Sequence, residues 1–103
     1  MRDAGDHLLA ALLRLAGGEE AASCRSARSV PWMSNIYSGA RHCFTLWLTG
    51  PDAPSRAAAL TRDVGDIEFA LPGHIVADIL VGGRCDGAEG SELIVEALTI
   101  EEA

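Results

Sequence analysis

The chain has 103 residues, of which 49% are hydrophobic and 22% charged, and its formal net charge is -7. That length suits one domain burying roughly two-thirds of its unfolded surface, and the composition excludes both a disordered chain and a membrane-embedded one. The acidic balance argues against nucleic acid and anionic lipid as partners, because neutralising phosphates takes a field of positive charge.

The first residues, Met1 to His7, are acidic where a secretory leader is basic, and the apolar run Leu8 to Leu13 falls well short of the ~20 residues of a membrane span. Cysteines 24, 43 and 85 are odd in number and have no Cys-x-x-Cys spacing, so no disulfide framework is expected. Buried reduced thiols and residence in the cytoplasm are the expectations. Asp6 is placed to cap a helix whose apolar positions Leu8, Leu9, Leu12, Leu13, Leu15 and Ala16 recur at steps of three and four, ending at Gly17-Gly18.

Ser23 to Ser34 is small and polar and contains Pro31, which removes a ladder donor and confines a strand here to an edge or a bulge. From Arg41 to Thr49, Phe44, Leu46 and Leu48 alternate with Cys43, Thr45, Trp47 and Thr49, the period of a strand. A turn at Ser38-Gly39 joins these runs into a hairpin over Val30 to Thr49. After Gly50-Pro51-Asp52-Ala53-Pro54, the alanine-rich segment Ser55 to Val64 reads as a second helix stopped by Gly65.

Alternation predicts a short strand at Ile67 to Leu71, a turn at Pro72-Gly73, and a strand from Ile75 to Val81 with Ile75, Ala77, Ile79 and Val81 on one face. Gly82-Gly83 and Asp86-Gly87 read as loop, and Leu93 to Ile100 as the last strand. The expected fold class is α+β: a two-layer sandwich with two helices on one face of a mainly antiparallel sheet of four or five strands, in one domain over 1–103.

Charge is unevenly spread. Residues 1–62 hold seven arginines and five acids, while 63–103 hold Arg84 against ten acids. Ala21 to Pro51, 31 residues without an Asp or Glu, contains Arg25, Arg28, Arg41, His42 and four of the five aromatics. Within it, Trp32, Tyr37, Arg41 and His42 form the candidate ligand site. A guanidinium over an indole face keeps its fork free for a carboxylate or phosphate, so an anionic small molecule is the ligand class such a cluster would take. The structural alternative is an arginine stacked on tryptophan to finish the sheet edge.

Other chemistries find less support. His42 and Cys43 are strand neighbours and point to opposite faces, so the imidazole does not serve that thiol, although Cys24 or Cys85 could meet it in the fold. His7, Cys24, His42, Cys43, His74 and Cys85 lack the paired spacings of structural zinc, and Gly82-Gly83 lacks the Lys-Ser or Lys-Thr of a phosphate loop. Asp78 and Glu96, set among apolar strand residues, mark either the wet face of a half-covered sheet or a carboxylate pair suited to hydrolysis. No cofactor, metal or catalytic residue is expected. Two helices barely cover one side of such a sheet, and Trp47, Val76 and Leu80 are assigned to the other. A small binding or protein-interaction domain that associates with a second copy or another protein, through that face or the irregular edge near Pro31, is therefore the leading functional expectation, and a metabolite-binding or minor enzymatic role centred on Arg41 and His42 is the alternative.

Overall fold

The structure, a computed structural model, describes residues 3–102. Helix α1 (Ala4–Leu15), strands β1 (Ala22–Met33) and β2 (Ser38–Leu48), helix α2 (Ala53–Asp63), a 3-10 turn at Val64–Asp66, and strands β3 (His74–Asp86) and β4 (Ser91–Glu101) follow one another along the chain. The unit helix–strand–strand thus occurs twice. All neighbours in the sheet are antiparallel, in the order β1-β2-β4-β3, so two hairpins lie side by side with β2 and β4 at the centre. This is the expected α+β two-layer sandwich, with four strands.

Both helices pack on one face because that face carries the apolar phase of the central strands. Phe44, Leu46 and Leu48 of β2 stand opposite Val95, Leu93 and Ser91 of β4. Leu8 and Leu12 of α1, and Ala57 and Leu60 of α2, close over them, each at most 5% exposed. Fully burying one such leucine stabilises the fold by about 1.5–3 kcal/mol, and the amphipathic helices have nowhere else to place their stripes.

The expected cap of α1 is corrected. Asp3, not Asp6, is the N-cap: its carboxylate oxygen accepts the Asp6 N–H at 2.9 Å, and Asp6 sits within the first turn, where an acidic side chain complements the helix dipole. The helix consequently begins before the first leucine, as Ala4 and Gly5 are also buried.

Three further expectations along the chain are overturned. The β1–β2 turn falls at Ser34–Tyr37, since the Ser34 hydroxyl accepts the Tyr37 N–H at 3.0 Å and the Ser34 N–H bonds the Tyr37 carbonyl at 2.8 Å; Ser38 and Gly39 belong to β2. Ile67 to Leu71 forms no strand beyond an isolated bridge between Leu71 and His74. Its alternation instead serves packing: Ile67 and Phe69 lie against the core, Leu71 is buried, and the segment borders a groove with His7, Ala10 and Ala11 of α1. Gly82 and Gly83 continue β3 rather than loop out.

The facing of β3 changes as well, because Ala77 and Gly82 are bulged residues. Each bulge shifts the period-two alternation by one. Val76, Ile79 and Val81 therefore pair with Thr99, Ala97 and Val95 on the helix side, while Ile75, Asp78 and Leu80 pair with Ile100, Leu98 and Glu96 on the uncovered side. A Cβ on Gly82 would run into the Glu96 carboxylate, which explains a glycine at that bulge. Trp47 and Leu80 lie on the uncovered face as expected, and Val76 does not. β1 is an edge strand containing Pro31, as the sequence suggested, but its bulge is at Arg25, between Cys24 and Ser26.

Arg56 of α2 joins the layers where α1, β1 and β2 have their loose ends. Its side chain is 18% exposed, and the guanidinium donates to the carbonyls of Ala16 and Thr49 and, at 3.4 Å, to that of Ala21, and lies 3.2 Å from the Asp52 carboxylate. Leaving such partly buried carbonyls unpaired is costly. Arg56→Met is expected to lower the unfolding free energy by about 2–3 kcal/mol in urea titrations. Arg62→Met, which removes only a surface pair with Asp63, is expected to leave the midpoint where it was.

Candidate functional site

Antiparallel register divides the expected cluster between two faces. Arg41 pairs with Val30 and Leu98 on the uncovered side, beside Asp78 and Glu96. His42, the next residue, is 4% exposed on the helix side. Tyr37 is in the hairpin turn, 53% exposed, and Trp32 pairs with Gly39 near the end of the edge hairpin. Trp32 and His42 line one cleft; Arg41 and Tyr37 are not among its walls. The arginine–indole stack exists with other partners: the Arg25 guanidinium lies 3.8 Å from the Trp47 ring centroid and 3.2 Å from the Glu92 carboxylate. The bulge at Arg25 gives it this contact, and nothing in a stretch of small polar residues announces a bulge.

The cleft, about 390 Å³, lies where the sheet runs on past the first turn of α1. Ser29, Ala40, His42 and Thr99 floor it, Asp3 to Gly5 wall it, and Trp32, His74 and Glu101 complete it. Within the floor, the His42 ring is held at both nitrogens: Nδ1 lies 2.7 Å from the Ser29 hydroxyl and Nε2 2.8 Å from that of Thr99. Thr99 can in turn donate to the Ala40 carbonyl at 3.5 Å. Nε2–H donating to Thr99 and Nδ1 accepting from Ser29 satisfies every member. The ring also stacks on Phe44, with centroids 5.8 Å apart.

Burial lowers the His42 pKa below that of a free imidazole, an effect the Asp3 charge opposes and His74 adds to. Gly5 explains how α1 comes so near, for a Cβ there would stand 2.9 Å from the Ser29 oxygen and 3.2 Å from His42 Nδ1. The backbone of the first helical turn closes directly over the serine–histidine pair.

A hydroxyl hydrogen-bonded to an oriented neutral imidazole is the arrangement of an activated nucleophile. Acyl transfer also needs donors around the developing oxyanion. Among the described residues the cleft is lined by two carboxylates, Asp3 and Glu101, and by no arginine, and the carboxylates oppose negative charge on a reacting group. The same carboxylates oppose an anionic ligand.

The thiols correct a further expectation. Cys24 is half-buried, with its Sγ 3.2 Å from the Ser26 carbonyl, while Cys43 and Cys85 are exposed, and all three are free. Their positions on strands with one uncovered face account for this. His42 bonds to hydroxyls rather than to any of these thiols. Asp78 and Glu96 are exposed on the uncovered face. Among the described residues no three His, Cys, Asp or Glu side chains gather as a metal site, and no helix is long and apolar enough to cross a membrane. Comparison with protein-family models, with curated proteins and with solved structures finds no match.

The depressed pKa of His42 has a definite sign. Above the unfolded imidazole value near 6.5 both states are neutral there. Below it the unfolded chain takes up a proton that the fold resists, so stability falls as pH drops. Urea unfolding between about pH 5 and 6.5, before the carboxylates titrate, should show this slope, and His42→Gln should remove it.

Proposed function

We propose that the chain is a small binding domain that pairs with a second copy of itself through the uncovered face of its sheet. One observation carries the reading, the division of charge by strand on that face. Arg25, Arg28 and Arg41 stand on β1 and β2, while Asp78, Glu92 and Glu96 stand on β3 and β4. Apolar side chains lie among them, including Val30, Ile75 and Leu80 at 44–52% exposure. Among the described residues, Arg28, Arg41, Asp78 and Glu96 form no ion pair within the chain.

A face with one basic and one acidic half complements itself. A two-fold axis parallel to the strands sets β1 over the partner's β3 and β2 over its β4, so the basic half of each copy meets the acidic half of the other. An axis perpendicular to the strands would set like on like. Sheets packed face to face about 10 Å apart with aligned strands accept the first arrangement. Four strands of about ten residues offer a planar footprint on the order of 600 Å², and its contoured area approaches the ~800 Å² per partner of a standard interface. Two exposed free thiols suit a reducing compartment, and residence in the cytoplasm belongs to this reading.

Sedimentation tests it. The wild-type chain should be dimeric at micromolar concentration, and both Arg28→Glu/Arg41→Glu and Asp78→Arg/Glu96→Arg should be monomeric, each at least roughly tenfold weaker in association. An equimolar mixture of the two variants should regain the dimer, because one all-acidic face then meets one all-basic face. A monomeric wild-type chain would refute self-association; a dimer indifferent to these charges would refute its geometry.

A further inference from the structure

On the helix side of the sheet an exposed hydroxyl is held by a buried base. Ser29 is exposed on β1, whereas His42, its Cα partner on β2, is 4% exposed, and the serine oxygen stands 2.7 Å from His42 Nδ1. Thr99, fully buried, takes the other ring nitrogen at 2.8 Å. Nε2–H donating to Thr99 leaves Nδ1 as the acceptor for Ser29. Burial keeps the imidazole unprotonated at neutral pH, an effect that Asp3 opposes and His74 reinforces, and Glu101 lines the same cleft. A positioned base of this kind accelerates a proton-coupled attack by roughly 10²–10⁴-fold.

Donors for a developing oxyanion are found in the backbone of α1. The first N–H groups of a helix have no intrahelical partner and point out of its N-terminal end. In α1 the Asp6 and His7 N–H groups bond the Asp3 carboxylate and the Asp3 carbonyl. Those of Ala4 and Gly5 have no acceptor among the described residues, although both residues are buried and line the cleft. Gly5 sets this backbone against the nucleophile, since a Cβ there would stand 2.9 Å from Ser29 Oγ. The carboxylates of Asp3 and Glu101 are engaged by the Asp6 N–H and the Ser38 hydroxyl, and their charge turns away anionic acyl donors but not uncharged ones. We propose that Ser29 hydrolyses small uncharged esters, with His42 as its base and the Ala4 and Gly5 N–H groups as donors to the oxyanion. Ser29 Oγ bonds the carbonyl carbon, its proton passes to His42 Nδ1, and the alcohol leaves with that proton as the ester C–O bond breaks. Water then gives a proton to His42 as its oxygen takes the acyl group, and Ser29 recovers the proton as the acid departs. Thr99 acts through the ring and is a positioning residue.

Diisopropyl fluorophosphate, an uncharged probe, tests the nucleophile: a phosphorus–oxygen bond forms at the serine and fluoride leaves. A single adduct is expected, mapped to Ser29 by peptide mass spectrometry, and none on the Ser29→Ala chain. The labelling rate should rise with pH to a plateau, with its midpoint below the free imidazole value of 6.5. It should fall about a hundredfold or more in His42→Gln. Thr99→Val should slow labelling about tenfold or more and Thr99→Ser should restore it, with the far-ultraviolet circular dichroism unchanged. The wild-type chain should hydrolyse 4-nitrophenyl acetate at least about tenfold faster than Ser29→Ala. The Arg28→Glu/Arg41→Glu chain, altered on the other side of the sheet, should match the wild type in both assays, which separates this result from that of self-association. No adduct, adducts spread over several serines, a labelling rate indifferent to His42→Gln, or ester hydrolysis undiminished in Ser29→Ala would each overturn the assignment.

Discussion

The antiparallel pairing of β2 with β4 is the constraint from which the rest of this molecule follows. Ten consecutive residue pairs join them, from Gly39 with Ile100 to Leu48 with Ser91, and the apolar phase of both strands falls on the same side. Phe44, Leu46, Leu93 and Val95 are at most 1% exposed there. A one-residue slip would turn these side chains to the other face, so the helices fix the register as firmly as the sheet positions the helices. Each helix belongs to the hairpin that follows it in the chain, and Arg56 ties the second unit to the ends of the first.

Placing two hairpins side by side converts an asymmetry along the chain into one across a surface. The arginine-rich first part supplies β1 and β2, and the acid-rich remainder supplies β3 and β4. Had the second hairpin inserted between the strands of the first, charges of both signs would be interleaved. With the order β1-β2-β4-β3 they separate into halves, and only then can a face complement a rotated copy of itself.

Features resting on local periodicity were legible in the sequence. The leucine spacing of α1, the alanine run after Pro54 and the alternation from Phe44 to Leu48 all correspond to observed elements. Bulges were not legible, because one extra residue at Ala77 or Arg25 leaves no compositional trace and yet reverses every facing beyond it. For the same reason Arg25, and not Arg41, meets an indole. Ile67 to Leu71 alternates like a strand, but alternation records burial on one side and is silent on whether a backbone ladder forms. Of the proposed ligand residues, Trp32 and His42 line the cleft. Of their companions, Ser29 shares β1 with Trp32, while Asp3 and the pair Thr99 and Glu101 come from two other parts of the chain, beyond the reach of local spacing. Thr99 alone left a signal: a polar residue in phase with Leu93, Val95 and Ala97, and therefore a polar group destined for a buried face.

β2 gives the two faces their different chemistry within one strand. Its even-numbered residues, His42 through Leu48, meet helices and are buried, so the imidazole must find hydroxyl partners or cost stability. Its odd-numbered residues, Arg41 through Trp47, meet the uncovered side, where Arg41 keeps its charge exposed and Trp47 stacks with Arg25. The cleft opens onto the first set at the α1 end of the strand, where the helix layer stops short of the sheet. The self-association proposed above would engage the other set along its length. Because β2 pairs with β4 without a bulge, its side chains keep their alternation, and a change on one face of the strand leaves the chemistry of the other in place.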